Sequence, residues 1–229
     1  MSKIIKATTL FLIFSLVLST TSISAISVNK PVYKSKNCEE KKIALTFDDG
    51  PHPVKTKEIL EVLDKHNVKA TFFVLGINVK NYPSIMNLIS KNGHEIGNHT
   101  YSHKRLKGKS KKTIEKELLK TDIEIMTNNG SKTNLIRPPC GEYDDNLVDI
   151  AIEKDYKIVL WNIDTRDWAH STKDDIINNI IKNIKGGDIV LFHDYLSGEN
   201  NTVEALDTII PILKDKGYEF VTVGELLKN

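Results

Sequence analysis

Asp48 and Asp49 stand side by side at the end of the apolar run Ile43-Ala44-Leu45-Thr46-Phe47 and are followed at once by Gly50-Pro51. Successive side chains on a strand point to opposite faces, so adjacent carboxylates share a site only where the backbone turns, and Gly-Pro supplies a turn. One acid can then bind a cation while the other takes a proton. Read alone, the pair fits a plain Asp-Asp-Gly turn equally well. Downstream, His99-Thr-Tyr-Ser-His103 sets two imidazoles four residues apart, one helical or turn-like step, so both can reach a common point. Two imidazoles and one carboxylate with an open position for water make a catalytic rather than a structural zinc-type site, with Asp49 as the natural third ligand. The zinc-protease motif has the same histidine spacing but carries its base, a Glu, between them. Here Thr100, Tyr101 and Ser102 intervene, so the base must come from elsewhere, and Asp48 is available.

That chemistry needs a frame. Short apolar runs at 43–47, 70–75, 95–97, 135–137, 158–162, 189–192 and 220–223 read as strands. Between them, helical spacing such as Ile59, Leu60, Leu63 and Ile114, Leu118, Ile125 predicts helices near 56–66, 83–91, 110–127, 145–154, 172–184 and 202–216. Thr172 and Asp175 resemble a capping box, and Gly217 closes the last long helix. Strand-helix alternation argues for parallel strands joined by right-handed crossovers. Seven such units suggest an α/β barrel, while a doubly wound sheet stays open on pattern alone. The polar residues of interest keep one phase: Asp48 and Asp49, His99 and His103, Arg137, Asp164 and Asp167, and His193 all fall at strand C-terminal ends. In a parallel barrel those ends gather on one face, where barrel active sites sit.

Residues 1–25 have the layout of a secretory signal peptide: Lys3 and Lys6, an apolar run over 7–18, then small and hydroxylated residues up to Ala25. The run is shorter than the roughly 18 residues expected of a membrane span. Cleavage just after Ala25 is therefore expected, giving a secreted, cell-wall-associated protein; a membrane tether by an uncleaved signal anchor is the alternative. No Cys stands near that point to carry a lipid. Cleavage would remove two lysines and no acid, leaving the mature chain formally neutral. The densest basic stretch, 104–112, is broken by Gly108 and reads as a solvated loop entering a helix, so nucleic acid is not an expected partner. Residues 26–41, polar and containing Pro31, read as an extended N-terminal arm, and 42–229 as one domain with a full core. Two cysteines, Cys38 and Cys140, exclude a disulfide-built scaffold. A bridge between them is not expected, since Cys38 falls near the end of the first strand opposite to Asp48. Nothing points to a protein partner, and a monomer is expected.

Five ordered motifs now stand out: Thr46-Phe-Asp-Asp-Gly50, His99-Thr-Tyr-Ser-His103, Arg137-Pro-Pro-Cys-Gly141, Asp164-Thr-Arg-Asp-Trp168 and Leu191-Phe-His193. Together they resemble those of the NodB-homology polysaccharide deacetylases, carbohydrate esterase family four, over nearly all of the mature chain. The resemblance implies a distorted, incomplete (β/α) barrel of TIM-barrel-like kind. It implies that Asp49, His99 and His103 hold one divalent metal, zinc by donor type with Co, Ni or Mn as alternatives, and that Asp48 is the base. By the same resemblance Arg137 holds the base, the backbone N–H of Cys140 stabilises an oxyanion, His193 protonates the departing amine and Asp167 pairs with His193. Trp168 and Leu191 would wall the sugar and the acetyl methyl. Cys140 departs from the pattern, since the family more often carries an aromatic residue there.

The implied activity is hydrolysis of N-acetyl groups on a cell-wall glycan, GlcNAc or MurNAc of peptidoglycan. Chitin oligosaccharides, an acetylated xylan, or a non-catalytic glycan-binding module on the same fold are the alternatives. Of the remaining histidines, His66 falls near a helix C-terminus, His170 in a loop and His94 at the start of a strand, while His52 is expected close enough to line the site.

Overall fold

The computed structural model describes residues 31–36, 39–195 and 201–228. The order of elements is β1 (Val32–Tyr33), β2 (Lys42–Asp48), α1 (Lys55–Lys65), β3 (Thr71–Val74), α2 (Gly76–Asn81), α3 (Pro83–Lys91), β4 (Glu95–Asn98), α4 (Lys111–Asn129) and β5 (Leu135–Ile136). There follow α5 (Asp145–Glu153), β6 (Lys157–Val159), β7 (Ile163–Asp164), α6 (Lys173–Asn183), β8 (Ile189–His193), α7 (Thr202–Asp215), β9 (Glu219–Phe220) and α8 (Val223–Lys228). The strands pair in parallel in the order β1-β6-β5-β4-β3-β2-β8-β7, with β9 against the first two residues of β2. β1 and β7 form the two edges of the curled sheet and are not joined to each other, so the (β/α) barrel is distorted and incomplete. A doubly wound sheet is set aside.

β2 is an inner strand, paired with β3, β8 and β9, and its composition explains why. A parallel strand covered on both faces cannot alternate apolar with polar residues. Ile43, Ala44, Leu45, Thr46 and Phe47 are all fully buried, and the hydroxyl of Thr46 donates to the Val190 carbonyl. Phe47 stacks between Phe72 of β3 (4.9 Å) and Phe192 of β8 (5.6 Å). Truncating such a ring to alanine costs about 3–5 kcal/mol. Around the sheet, helix ends are fixed by local chemistry. Ser110 caps α4 by accepting from Thr113 N–H, and Gly130 stops it at φ 71°. Thr172 and Asp175 form the expected reciprocal capping box on α6.

The structure departs from the sequence reading in several places. The arm contributes β1, and beyond it Lys36 N–H donates to Gly187 O and Ser35 bridges antiparallel to Asp188, tying the arm across the start of β8. The run 158–162 is not one strand. β6 stops at Val159, and residues 160–162 carry the chain over the open edge to β7 beside β8. Residues 220–223 are likewise not one strand but the end of β9 and the start of α8. Cys38 lies outside the described residues; Cys140 is a free, exposed thiol.

Candidate active site

β2 delivers Asp48 to the C-terminal face of the sheet in register with His193 of β8. The next residue, Asp49, takes the left-handed conformation at φ 79°, which acids tolerate better than bulkier residues, and a cis Gly50–Pro51 bond follows. This turn lets both carboxylates face one cavity. It is pinned by Leu75 N–H to Gly50 O at 2.9 Å and by Asn78 Nδ2 to Asp49 O at 2.7 Å.

β4 ends at Asn98, and the His99–His103 segment is a loop, with Thr100 at φ 71° and His103 at φ 55°. The N-terminus of α2 braces it, Gly76 and Ile77 N–H donating to the Thr100 and Tyr101 carbonyls. Buried Glu117 accepts from the Ser102 amide and hydroxyl. His99 is buried, with Nδ1 2.7 Å from the Arg137 carbonyl. A carbonyl only accepts, so Nδ1 carries a proton and Nε2 is the nitrogen presented to the cavity.

Asp49 Oδ1 lies 3.4 Å from His99 Nε2 and 3.2 Å from His103 Nε2. It is buried and makes no hydrogen bond among the described residues. An orphaned carboxylate oxygen facing two imidazole nitrogens, all within 4.8 Å, is a donor set that fits a divalent cation. Burial alone would raise the Asp49 carboxyl, but the adjoining His99, then His103 and His193, outweigh it and hold it below the usual carboxylate range. His103 is lowered, first by partial burial, which keeps it neutral and able to ligate.

Asp48 is set apart from this trio. Its Oδ1 accepts from Arg137 Nη1 at 2.7 Å, while Oδ2 is 3.7 Å from His99 Nε2. Arg137 is completely buried and every face of its guanidinium is used. Nη1 also donates to Thr46 Oγ1, Nε to Val159 O and Nη2 to Leu160 O, and the plane lies between Phe73 (4.1 Å) and Trp161 (5.5 Å). A group so fixed holds one oxygen of Asp48 and leaves the other to the cavity.

Opposite, His193 Nδ1 meets Asp167 Oδ1 at 2.8 Å, and His193 N–H donates to Asp167 Oδ2. The Thr202 hydroxyl and Trp168 N–H complete the acceptor shell of Asp167. Burial works against the imidazolium, but the hydrogen bond and charge of Asp167 prevail and lift His193 to about 9. Near neutrality this is a protonated acid with Nε2 unengaged by Asp167.

The cavity, about 370 Å³, is lined by Asp48, Asp49, His99, His103, Cys140, Trp168, Leu191 and His193, all of them nominated by the sequence; Arg137 and Asp167 are buried partners of its acid and histidine. Arg105 and Trp161 also line it and had been given no part; Asp164, noted at a strand end but assigned no role, lines it too. Asp164 Oδ1 accepts from the Trp168 indole N–H at 3.2 Å, which orients the exposed ring. Cys140 sits at φ 59° on the Pro139–Gly141 turn, and Trp161 packs behind it against Gly141. His52 does not line the cavity. Its Nδ1 accepts from Val54 and Lys55 N–H at the start of α1, and its ring rests edge-on against Tyr195. A larger groove of about 450 Å³ beside α4 carries no converging set of metal ligands among the described residues.

Comparison with known proteins agrees with this geometry. A family model described as polysaccharide deacetylase matches residues 35–159. A peptidoglycan-N-acetylglucosamine deacetylase of Bacillus cereus is 43% identical over 82% of this chain and 89% of its own length. The crystal structure of the Bc1960 peptidoglycan N-acetylglucosamine deacetylase superposes with a TM-score of 0.85 at 39% identity, covering 87% of this chain and 94% of that one. A carbohydrate esterase family four pseudoenzyme from Bacillus anthracis, BA3943, superposes at 0.82 with 33% identity, over 88% and 70% of the two chains. Motifs, barrel and relatives therefore agree, and the chain belongs to the polysaccharide deacetylases of carbohydrate esterase family four, hydrolases of N-acetyl amide bonds.

Proposed function

We propose that the chain is a secreted, zinc-dependent deacetylase that removes the acetyl group from GlcNAc or MurNAc units of peptidoglycan. The observation that carries the reading is the division of labour between neighbours: Asp49 Oδ1 is orphaned against two histidines, while Asp48 is held by Arg137 and stays outside that trio. A structural site would have no need of the second acid. The peptidoglycan substrate is supported by the names of the relatives, and zinc by the two-imidazole, one-carboxylate donor set. Secretion and cleavage after Ala25 rest on the N-terminal sequence, and the protein is taken to act as a monomer.

Asp49, His99 and His103 would hold the metal, which supplies Lewis acidity and lowers the pKa of water. Asp48 Oδ2 takes the proton from the attacking water, its carboxylate fixed by Arg137. Negative charge develops on the acetyl oxygen, to which the Cys140 N–H donates. His193, charged through Asp167, delivers a proton from Nε2 to the departing sugar amine. Trp168, half exposed, offers its ring to the sugar, and Leu191 packs on the acetyl methyl.

The pseudoenzyme neighbour means the fold alone does not decide catalysis; the intact Asp48 and His193 favour the enzyme over a glycan-binding module. The test is acetate release from purified peptidoglycan, GlcNAc oligomers and acetylated xylan, with and without chelator, and after reloading with Zn, Co, Ni or Mn. Peptidoglycan is expected to lead, with loss on chelation and best recovery with Zn; no release from any substrate with metal supplied refutes the enzyme. N-terminal sequencing of protein from the culture medium is expected to begin at Ile26; retention in membranes would favour the tether.

A further inference from the structure

Asp194, the residue after His193, is 1% exposed, and no step of the reaction above uses it. Its backbone N–H donates to the Asp48 carbonyl at 3.1 Å, continuing the β2–β8 ladder past the end of the strands. Its carboxylate lies behind the Asp49 turn. The Thr56 hydroxyl, fully buried at the start of α1, donates to Asp194 Oδ2 at 2.6 Å. The same Thr56 oxygen accepts from His52 N–H at 2.7 Å. A Cβ built on Gly50 would stand 2.1 Å from Asp194 Oδ2 and 2.4 Å from Oδ1, so the carboxylate lies flat against the bare Cα of Gly50. The far end of the turn is thereby tied too, through Thr56, and Asp194 Oδ1 is buried without a hydrogen bond among the described residues.

We propose that Asp194 is a positioning residue that clamps the Asp49–His52 turn onto β8, fixing the carboxylate of Asp49 relative to His193. Asp49 is in a left-handed conformation on a turn whose outer side is held by Asn78 and Leu75. Asp194 and Thr56 hold the inner side. Asp194 and His193 are neighbours on one strand end, so the clamp references the metal-ligand turn to the proton donor directly. Small losses of alignment between reacting groups carry large kinetic costs. This rests on Asp49 serving as a metal ligand. It also accounts for glycine at position 50, since any side chain there meets the clamp.

The experiment compares Asp194→Ala, Asp194→Asn and Thr56→Val in the full chain, reading zinc affinity by competition with a fluorescent chelator, kcat and KM for acetate release, and melting of the metal-free protein. Asp194→Ala and Thr56→Val are expected to weaken zinc binding and lower kcat at least tenfold each, with KM within twofold. Asp194→Asn, which keeps an acceptor for Thr56, is expected to recover most of both losses. A lowered melting point with zinc affinity and kcat unchanged would make Asp194 merely structural and overturn the proposal. Should Asp194→Ala not fold, Thr56→Val decides: affinity and kcat within threefold of the parent overturn it. A parent protein that binds zinc but releases no acetate refutes the deacetylase reading and leaves the affinity measurements to judge Asp194. A parent that binds no zinc overturns both.

Discussion

Arg137 Nη1 meets Asp48 Oδ1 at 2.7 Å inside a compartment where the arginine has no solvent exposure at all. A guanidinium so placed is costly to desolvate, and its backbone and side-chain acceptors, Val159 O, Leu160 O and Thr46 Oγ1, meet that cost together with Asp48. Arg137→Ala would strip the buried Asp48 of the guanidinium that holds its Oδ1, and removing one partner of a buried pair destabilises by about 3–5 kcal/mol. Urea unfolding is expected to show that loss. Arg137→Lys returns the charge but not the fork, so stability should recover only in part.

The separation of Asp48 from the Asp49, His99 and His103 trio gives a sharper outcome. Asp48→Asn keeps the shape and the Arg137 contact but cannot take a proton. Turnover should fall by about 10²–10⁴-fold, the worth of a general base. Bound zinc, measured by elemental analysis after dialysis, should be unchanged. Asp49→Asn is expected to do the reverse first, losing metal and activity together. If Asp48→Asn stays active, Asp48 is not the base.

Much of this arrangement was legible in residue order, for an identifiable reason. Central strands such as β2 and β8 are buried on both faces and read as unbroken apolar runs, and their C-terminal ends mark where site residues gather. β1 and β7, at two residues each, are too short for any period to register. α2 has six residues, below the window in which helical spacing can be counted. α8 was hidden by the apolar pair Val221 and Val223, although Thr222 and Glu225 carried a capping signal: the Glu225 carboxylate accepts from Thr222 N–H, and Thr222 Oγ1 from Glu225 N–H. His52 was placed by nearness in sequence, but the chain past Gly50 turns it onto α1. Arg105 and Trp161 reach the cavity from loops, and only the closed fold brings them there.

His193 and Asp167 set the pH behaviour. The folded imidazole sits at about 9 against 6.5 for an unperturbed one, raised by Asp167 in spite of burial. With the folded value above the unfolded, its contribution to stability is complete below about pH 6.5 and is lost as pH rises through about 9. Thermal melts of the metal-free protein should fall across that window and flatten in His193→Gln. The alkaline limb of kcat/KM should likewise lie near 9, and in Asp167→Asn it should move down toward the ordinary histidine range. An unmoved limb would mean that another group donates the proton.

Gly97 offers a test of the site from a position that touches none of its reacting atoms. It is buried on β4, and a Cβ there would stand 2.4 Å from two atoms of the Phe73 ring, the ring whose face supports the Arg137 guanidinium at 4.1 Å. Gly97→Ala must therefore push Phe73 aside. Overpacking of this kind costs about 1–3 kcal/mol. The displaced ring should also loosen Arg137 and, through it, Asp48, so kcat is expected to fall by about tenfold or more; zinc affinity should fall less, because of the three candidate ligands only His99, bonded through Nδ1 to the Arg137 carbonyl, shares that support. Combining Gly97→Ala with Phe73→Leu removes the clashing ring edge and should restore stability more than kcat, since leucine relieves the crowding but cannot stack on the guanidinium. Equal recovery of both would show that the ring only fills space and that Arg137 is held by its hydrogen bonds alone.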